Sequence, residues 1–207
     1  MNAFDAGRSV EREGWLRLRP YLNEITDGHF VLVNKGAHAR RLQEELGDLL
    51  ANLAPRHDPT AGPLAEEGRL IAIELKVERR FTGNLFLETW SNRNLGDATS
   101  HAERGSNPGW LFKTRSDLLF YYFLDADTLC ISNVLALKRW AFRVAKKNDP
   151  WPVLNYPERA QGQYQQKNDT HGVCVPIADL QRELGAKSFK VTSARQLGMF
   201  DSWEGAA

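Results

Sequence analysis

The chain reads as an α/β protein, and two sets of observations lead there. Runs of strand length and strand pattern, HFVLV (29 to 33), DLLANLAP (48 to 55), RLIAIELKV (69 to 77) and LFLETWS (85 to 91), recur along the sequence. Interleaved with them, KGAHARRLQEELG (35 to 47), NVLALKRWAFRVAKK (133 to 147) and PIADLQRELG (176 to 185) carry the apolar spacing of amphipathic helices. Strands alternating with helices are the pattern of layered α/β folds.

In chain order, residues 1 to 27 are charged and weakly periodic, and Trp15, Leu16, Leu18, Tyr21 and Leu22 predict a short amphipathic piece that caps the body of the fold. No chemistry is assigned to it. HFVLV follows as a short strand. The helix over 35 to 47 has one apolar stripe of Ala39, Leu42 and Leu46, and Gly47 is placed to end it in a left-handed cap. DLLANLAP then reads as a strand, RHDPTAGPLAEEG (56 to 68) as a loop rich in breakers, and RLIAIELKV as the returning strand. A Gly83-Asn84 turn signal precedes LFLETWS, and residues 92 to 109 form a long polar loop. WLFKTRSDLLFYYFLDADTLCIS (110 to 132) reads as a strand pair joined at Asp125 to Asp127, and the helix after it has a basic face. A Pro- and Gln-rich connection leads to a short strand, GVCV, and a last helix begun by Pro176 and stopped by Gly185.

At 207 residues the chain suits a single domain that buries roughly 70% of its unfolded surface. We divide it into an N-terminal capping segment (1–34), a core (35–147) and a C-terminal extension (148–207). Cys130 and Cys174 lie in apolar contexts, as buried thiols of a reducing cytoplasm do. No stretch approaches the ~18 apolar residues of a membrane span, so no membrane partner is expected. With 27 basic and 26 acidic residues the net charge is +1, and any polyanion site must be local. His29, His38, His57, His101 and His171 lack zinc-ligand spacing. There is no P-loop, GxGxxG or GxSxG, which disfavours nucleotide hydrolysis and serine-hydrolase chemistry.

The informative stretch is IAIELKVERRFTGNLFLETWS, where Glu74 and Lys76 interrupt an apolar strand. Pairing 48 to 55 with 69 to 77 as an antiparallel hairpin, with Ala61 at the midpoint, sets Asp48 across from Glu74. Folding the next strand back about Thr82 sets Glu88 opposite Lys76. Side chains alternate along strands, so the four would share one face. Two neighbouring carboxylates repel unless a cation lies between them, and hard oxygen ligands select Mg²⁺ or Mn²⁺. A lysine on that face can orient water or offset charge on a phosphate. The set suits phosphodiester hydrolysis.

An acidic residue on one strand followed by Glu74-Leu75-Lys76 on the next, after a helix, resembles the PD-(D/E)xK nuclease superfamily, which includes restriction endonucleases and Holliday-junction resolvases. ELKVERRFTGNLFLETWSN followed by GWLFKTRSDLLFYYF is similar to small phage- and prophage-type members. The resemblance covers roughly residues 36 to 145. It implies a restriction-endonuclease-like fold, a central mixed sheet flanked by helices, and a Mg²⁺- or Mn²⁺-dependent DNA endonuclease acting on duplex or branched DNA, possible as a homodimer. On it, Asp48 and Glu74 ligate the metal, Lys76 positions the attacking water, and Glu88 and Glu45 assist. The Pro-Asp dipeptide is absent; Asp48 and Asp58 compete for the first acidic position, and Asp48 is preferred because Pro59 and Pro63 flank the other with strand breakers. Glu44 and Glu45 both sit on the preceding helix, Glu45 nearer its apolar stripe. Lys113, Arg115, Arg80 and Lys138 are the expected nucleic-acid contacts. The alternative of another class is a catalytically inactive nucleic-acid-binding or assembly subunit of a phage or mobile-element system.

Overall fold

A computed structural model describes residues 3–26, 30–32, 48–53, 69–92, 107–142, 158–160 and 170–191. These form a mixed α/β structure with two sheets and four helices among the described residues. The chain divides into two compact units. The first takes Met1–Phe81, Arg115–Ile131 and Lys187–Ala207, the second Thr82–Thr114 and Ser132–Ala186.

In the first unit, helix α1 (Ala3–Thr26) precedes strands β1 (Phe30–Leu32), β2 (Leu49–Leu53) and β3 (Arg69–Glu78). The N-terminal piece is therefore longer than the short cap expected. Strand pairing starts as the alternation predicts: Leu49 faces Ile73, Leu50 faces Ala72 and Ala51 faces Ile71, the register centred on Ala61. β1 runs antiparallel to the other side of β2.

The neighbour on the far side of β3 differs from expectation. LFLETWS does not fold back onto β3; that place belongs to β6 (Leu118–Phe123), which runs parallel to β3 with Glu74 facing Leu119 and Lys76 facing Tyr121. β6 is LLFYYF and is buried along nearly its whole length, so it suits the sheet interior, where both faces are covered. β7 (Thr128–Asn133) and β10 (Lys187–Lys190) complete the order β1-β2-β3-β6-β7-β10. Asp127, at φ 48°, turns the chain between β6 and β7, and its carboxylate accepts the Tyr122 hydroxyl.

The pleat gives β3 two unlike faces. Ile71, Ile73, Leu75 and Val77 join Leu18, Tyr21 and Leu22 of α1, Leu49 and Ala51 of β2, and Phe120 and Tyr122 of β6 in one apolar core. Glu74, Lys76 and Glu78 point the other way. This answers why the strand tolerates charge: the hydrocarbon face is filled by a helix, and the charges lie on the opposite face.

The second unit is built on β4 (Asn84–Asn92), β5 (Asn107–Pro108), β8 (Glu158–Ala160) and β9 (His171–Pro176), in the order β5-β4-β9-β8. Glu88 lies opposite Gly172 of β9, correcting its expected pairing with Lys76. The turn at 82 to 84 exists, with Gly83 at φ 74°, but Gly83 offers its carbonyl to the Ile177 N–H instead of closing a hairpin onto β3. The expected strand start at 110 is a short helix, α2 (Trp110–Lys113), while α3 (Val134–Phe142) and α4 (Ile177–Leu184) lie where helices were predicted. Gly185 ends α4 at φ 65°, its N–H bonded to the Gln181 carbonyl.

Helix and sheet meet closely at Gly14 of α1. A Cβ there would stand 2.5 and 2.6 Å from the two Cγ atoms of Val77. Alanine would add up to about 1 kcal/mol of helix propensity, yet such overpacking costs about 1–3 kcal/mol, and a β-branched neighbour cannot rotate both methyls away. Gly14→Ala is therefore expected to lower the unfolding free energy by about 1–2 kcal/mol in urea titration. In a Val77→Ala background the same change should be neutral or stabilising.

Candidate functional site

Asp48 stands one residue before β2, and the ladder continues through it. Its N–H donates to the Ile73 carbonyl at 2.9 Å, and its Oδ2 accepts the Leu75 N–H at 2.9 Å. A side-chain carboxylate thus takes a main-chain donor at the point where strand pairing stops. The register carries Asp48 to the level of Glu74, as the sequence predicted.

Glu74 is 7% exposed. Its Oε1 lies 2.6 Å from Lys76 Nζ, two residues along the same face. The lysine side chain is 26% exposed, so this pair is not a solvated surface bridge of negligible worth.

The electrostatics follow from burial. Loss of water pushes the Asp48 carboxyl up to about 6; Lys76 opposes this, the Glu74 charge adds to it, the Leu75 N–H opposes it, and Glu11 of α1 adds a little more. For Lys76, burial disfavours the ammonium, but Glu74 and Asp48 outweigh it and hold the side chain protonated well beyond neutral pH. Lys76 is therefore a fixed cation and hydrogen-bond donor, not a base that accepts a proton from water. Glu11 was not singled out from sequence; only a three-dimensional packing of α1 on the sheet brings its charge within range.

No family of known proteins matches this chain, and comparison with curated proteins and with solved structures likewise finds no match.

Glu88 belongs to β4 of the second unit. Glu45 and Asp58 lie outside the described residues, as do Glu44 and His57. Arg115 is exposed just before β6, near the start of the β3–β6 pair, where the Asp117 carboxylate accepts the Ala72 N–H at 2.9 Å. Arg80 is exposed beyond the other end of β3, roughly 33 Å further along at strand rise, so the two do not form one patch. Lys113 ends α2. Lys138 of α3 donates to the carbonyls of Thr114 and, at 3.3 Å, Phe112, a cation at the C-terminal end of α2. Its ammonium thus has a structural role at the end of α2.

Could these groups hold a divalent cation? Among the described residues no set of three or more His, Cys, Asp and Glu side chains is arranged to do so. A pair of carboxylates is a donor set of the kind Mg²⁺ takes, since it commonly uses one or two carboxylates and fills its octahedron with water and substrate phosphate. Each carboxylate uses one named oxygen on the protein, Oδ2 on Leu75 and Oε1 on Lys76. The upward push on Asp48 comes first from burial, with the Glu74 charge adding less than Lys76 removes.

Asp48 also makes stability depend on pH. With its carboxyl raised to about 6 from an ordinary 3.8, the folded state binds the proton more tightly than the unfolded one. The group's stabilising contribution is complete below about pH 4 and is lost as pH rises through 6, by about 3 kcal/mol at most. Asp48→Asn keeps an acceptor for Leu75 and removes the titration. In EDTA, the urea stability of the variant relative to the native protein should rise steadily between pH 4 and pH 7; a flat difference would show that Asp48 titrates normally.

Proposed function

We propose that the protein is a divalent-metal-dependent nuclease of the PD-(D/E)xK type, hydrolysing phosphodiester bonds in DNA, with the six-stranded sheet as the restriction-endonuclease-like core. One observation carries the reading: two carboxylates on adjacent antiparallel strands, Asp48 and Glu74, are brought level by register, with the Lys76 ammonium 2.6 Å from one of them on the same face. Neither a surface charge ladder nor an apolar core strand needs a nearly buried glutamate beside a raised aspartate.

Asp48 and Glu74 are the residues that would hold Mg²⁺ or Mn²⁺. Bound there, the ion would supply Lewis-acid activation of water and neutralise charge on the scissile phosphate. The protein's own groups divide the remaining work. Asp48, pinned by Leu75, offers a carboxylate whose position is set by main-chain geometry. Glu74 would do two jobs, helping to hold the cation while its Oε1 holds Lys76. Lys76, kept protonated, donates hydrogen bonds to the attacking water or to a non-bridging phosphate oxygen and offsets charge that grows in the transition state. Because Lys76 does not take up the proton of that water, the proton must leave to solvent or to the phosphate.

The net charge of +1 makes binding depend on local basic groups, so DNA affinity should fall with salt. Incubation of supercoiled plasmid with the protein and Mn²⁺ or Mg²⁺ is expected to give nicked or linear product, and EDTA to abolish it. Lys76→Ala and Glu74→Gln should each lower the cleavage rate by about 100-fold or more, the scale of losing one electrostatic group of an active site. Cutting that is metal-dependent yet unchanged in both variants belongs to a contaminant, and binding without cutting favours the inactive-subunit alternative.

A further inference from the structure

We infer that Tyr121 is a positioning residue for Lys76: by occupying Glu78, it assigns the ammonium to Glu74. The consequence for catalysis rests on the nuclease reading above; the assignment itself does not.

β3 places Glu74, Lys76 and Glu78 on one face, so the lysine has a carboxylate two residues away on either side. Along a strand the two separations are equal, about 7 Å between Cα atoms, and the backbone alone gives Lys76 no preference. The side chains nevertheless choose. Lys76 Nζ lies 2.6 Å from Glu74 Oε1, while Glu78 Oε1 accepts the hydroxyl of Tyr121.

Tyr121 is the residue of β6 paired with Lys76 itself, and its phenol reaches diagonally to the next same-face position on β3. The ring is fixed. Tyr121 is 2% exposed, packs against Phe123 at 5.3 Å between centroids, and Phe123 in turn meets Phe81 edge-on at 5.1 Å. Burial raises the Glu78 carboxyl above its ordinary range and the Tyr121 hydroxyl acts against that rise, so the phenol is what favours the carboxylate form. Take the hydroxyl away and a half-buried carboxylate needs another donor. The cation on its own strand face is Lys76, and a lysine shared with Glu78 is drawn away from the Asp48 and Glu74 end of the strand.

Four proteins test this: wild type, Tyr121→Phe, Glu78→Gln and the double variant. In metal-dependent plasmid cleavage, Tyr121→Phe should lose about tenfold in kcat with little change in KM, Glu78→Gln should stay near wild type, and the double variant should return to within about twofold of it. A phenol that merely packs would leave the double variant as impaired as Tyr121→Phe, and that result, or a fully active Tyr121→Phe, overturns the assignment. A second measurement needs no activity. Urea unfolding of Lys76→Met, Glu78→Gln and their combination should show no coupling between the two positions when Tyr121 is present, and clear coupling in the Tyr121→Phe background. Absence of coupling in both backgrounds overturns the assignment even if wild type cuts DNA; absence of cutting by wild type removes the nuclease reading and leaves the unfolding result to decide this one.

Discussion

The hydrogen-bond register between β2 and β3 is the constraint on which the site depends. It places Asp48 at the level of Glu74, and the Leu75 N–H then holds the Asp48 carboxylate in place. A slip of one residue would exchange the two faces of β2, sending Asp48 toward the apolar core and Leu49 toward the charges. Such a slip is costly because Leu49 and Ala51 are fully packed beneath α1. The same burial that specifies the core therefore specifies where the carboxylates meet.

Asp48, Glu74 and Lys76 lie on a sparsely solvated face. Loss of water is the first cause of the raised Asp48 carboxyl, which takes up a proton at mildly acidic pH; the Glu74 charge adds less to the rise than Lys76 takes away. A purely structural ion pair gains nothing from a second carboxylate beside it. A site whose ligand is a hard cation gains from it directly, since the ion supplies the missing positive charge. Lys76 is engaged with Glu74 at 2.6 Å and carries a single charge.

The chain leaves the first sheet at Glu78 and enters the second at Asn84. Phe81 is tied back by its N–H to the Asp125 carboxylate at 2.8 Å, and the Arg79 carbonyl accepts the Asp125 N–H, so the end of β3 is clamped to the β6–β7 turn. β4 then runs between close neighbours. A Cβ on Gly109 would lie 2.2 Å from the Glu88 carbonyl oxygen, and one on Gly172 2.5 Å from that of Leu87. These approaches, together with the register shift after Glu88, make that glutamate part of a tightly specified strand of its own sheet.

Much of this was legible in the sequence. Alternation along RLIAIELKV told which residues share a face, a loop of breakers centred on Ala61 told how its strand pairs with the one before, and Gly185 told where a helix ends. Each is encoded within a few residues, by the pleat, the turn or a positive φ. The neighbour on the other side of β3 was not legible, because side-chain period reports a face and says nothing about which distant segment will cover an edge. Only the folded sheet, needing a strand apolar on both sides for its interior, selected LLFYYF over LFLETWS, and with that choice came the Tyr121 contact to Glu78 and the pairing of Glu88 with Gly172 in place of Lys76; the reach of Glu11 to the charges likewise needed the packed helix.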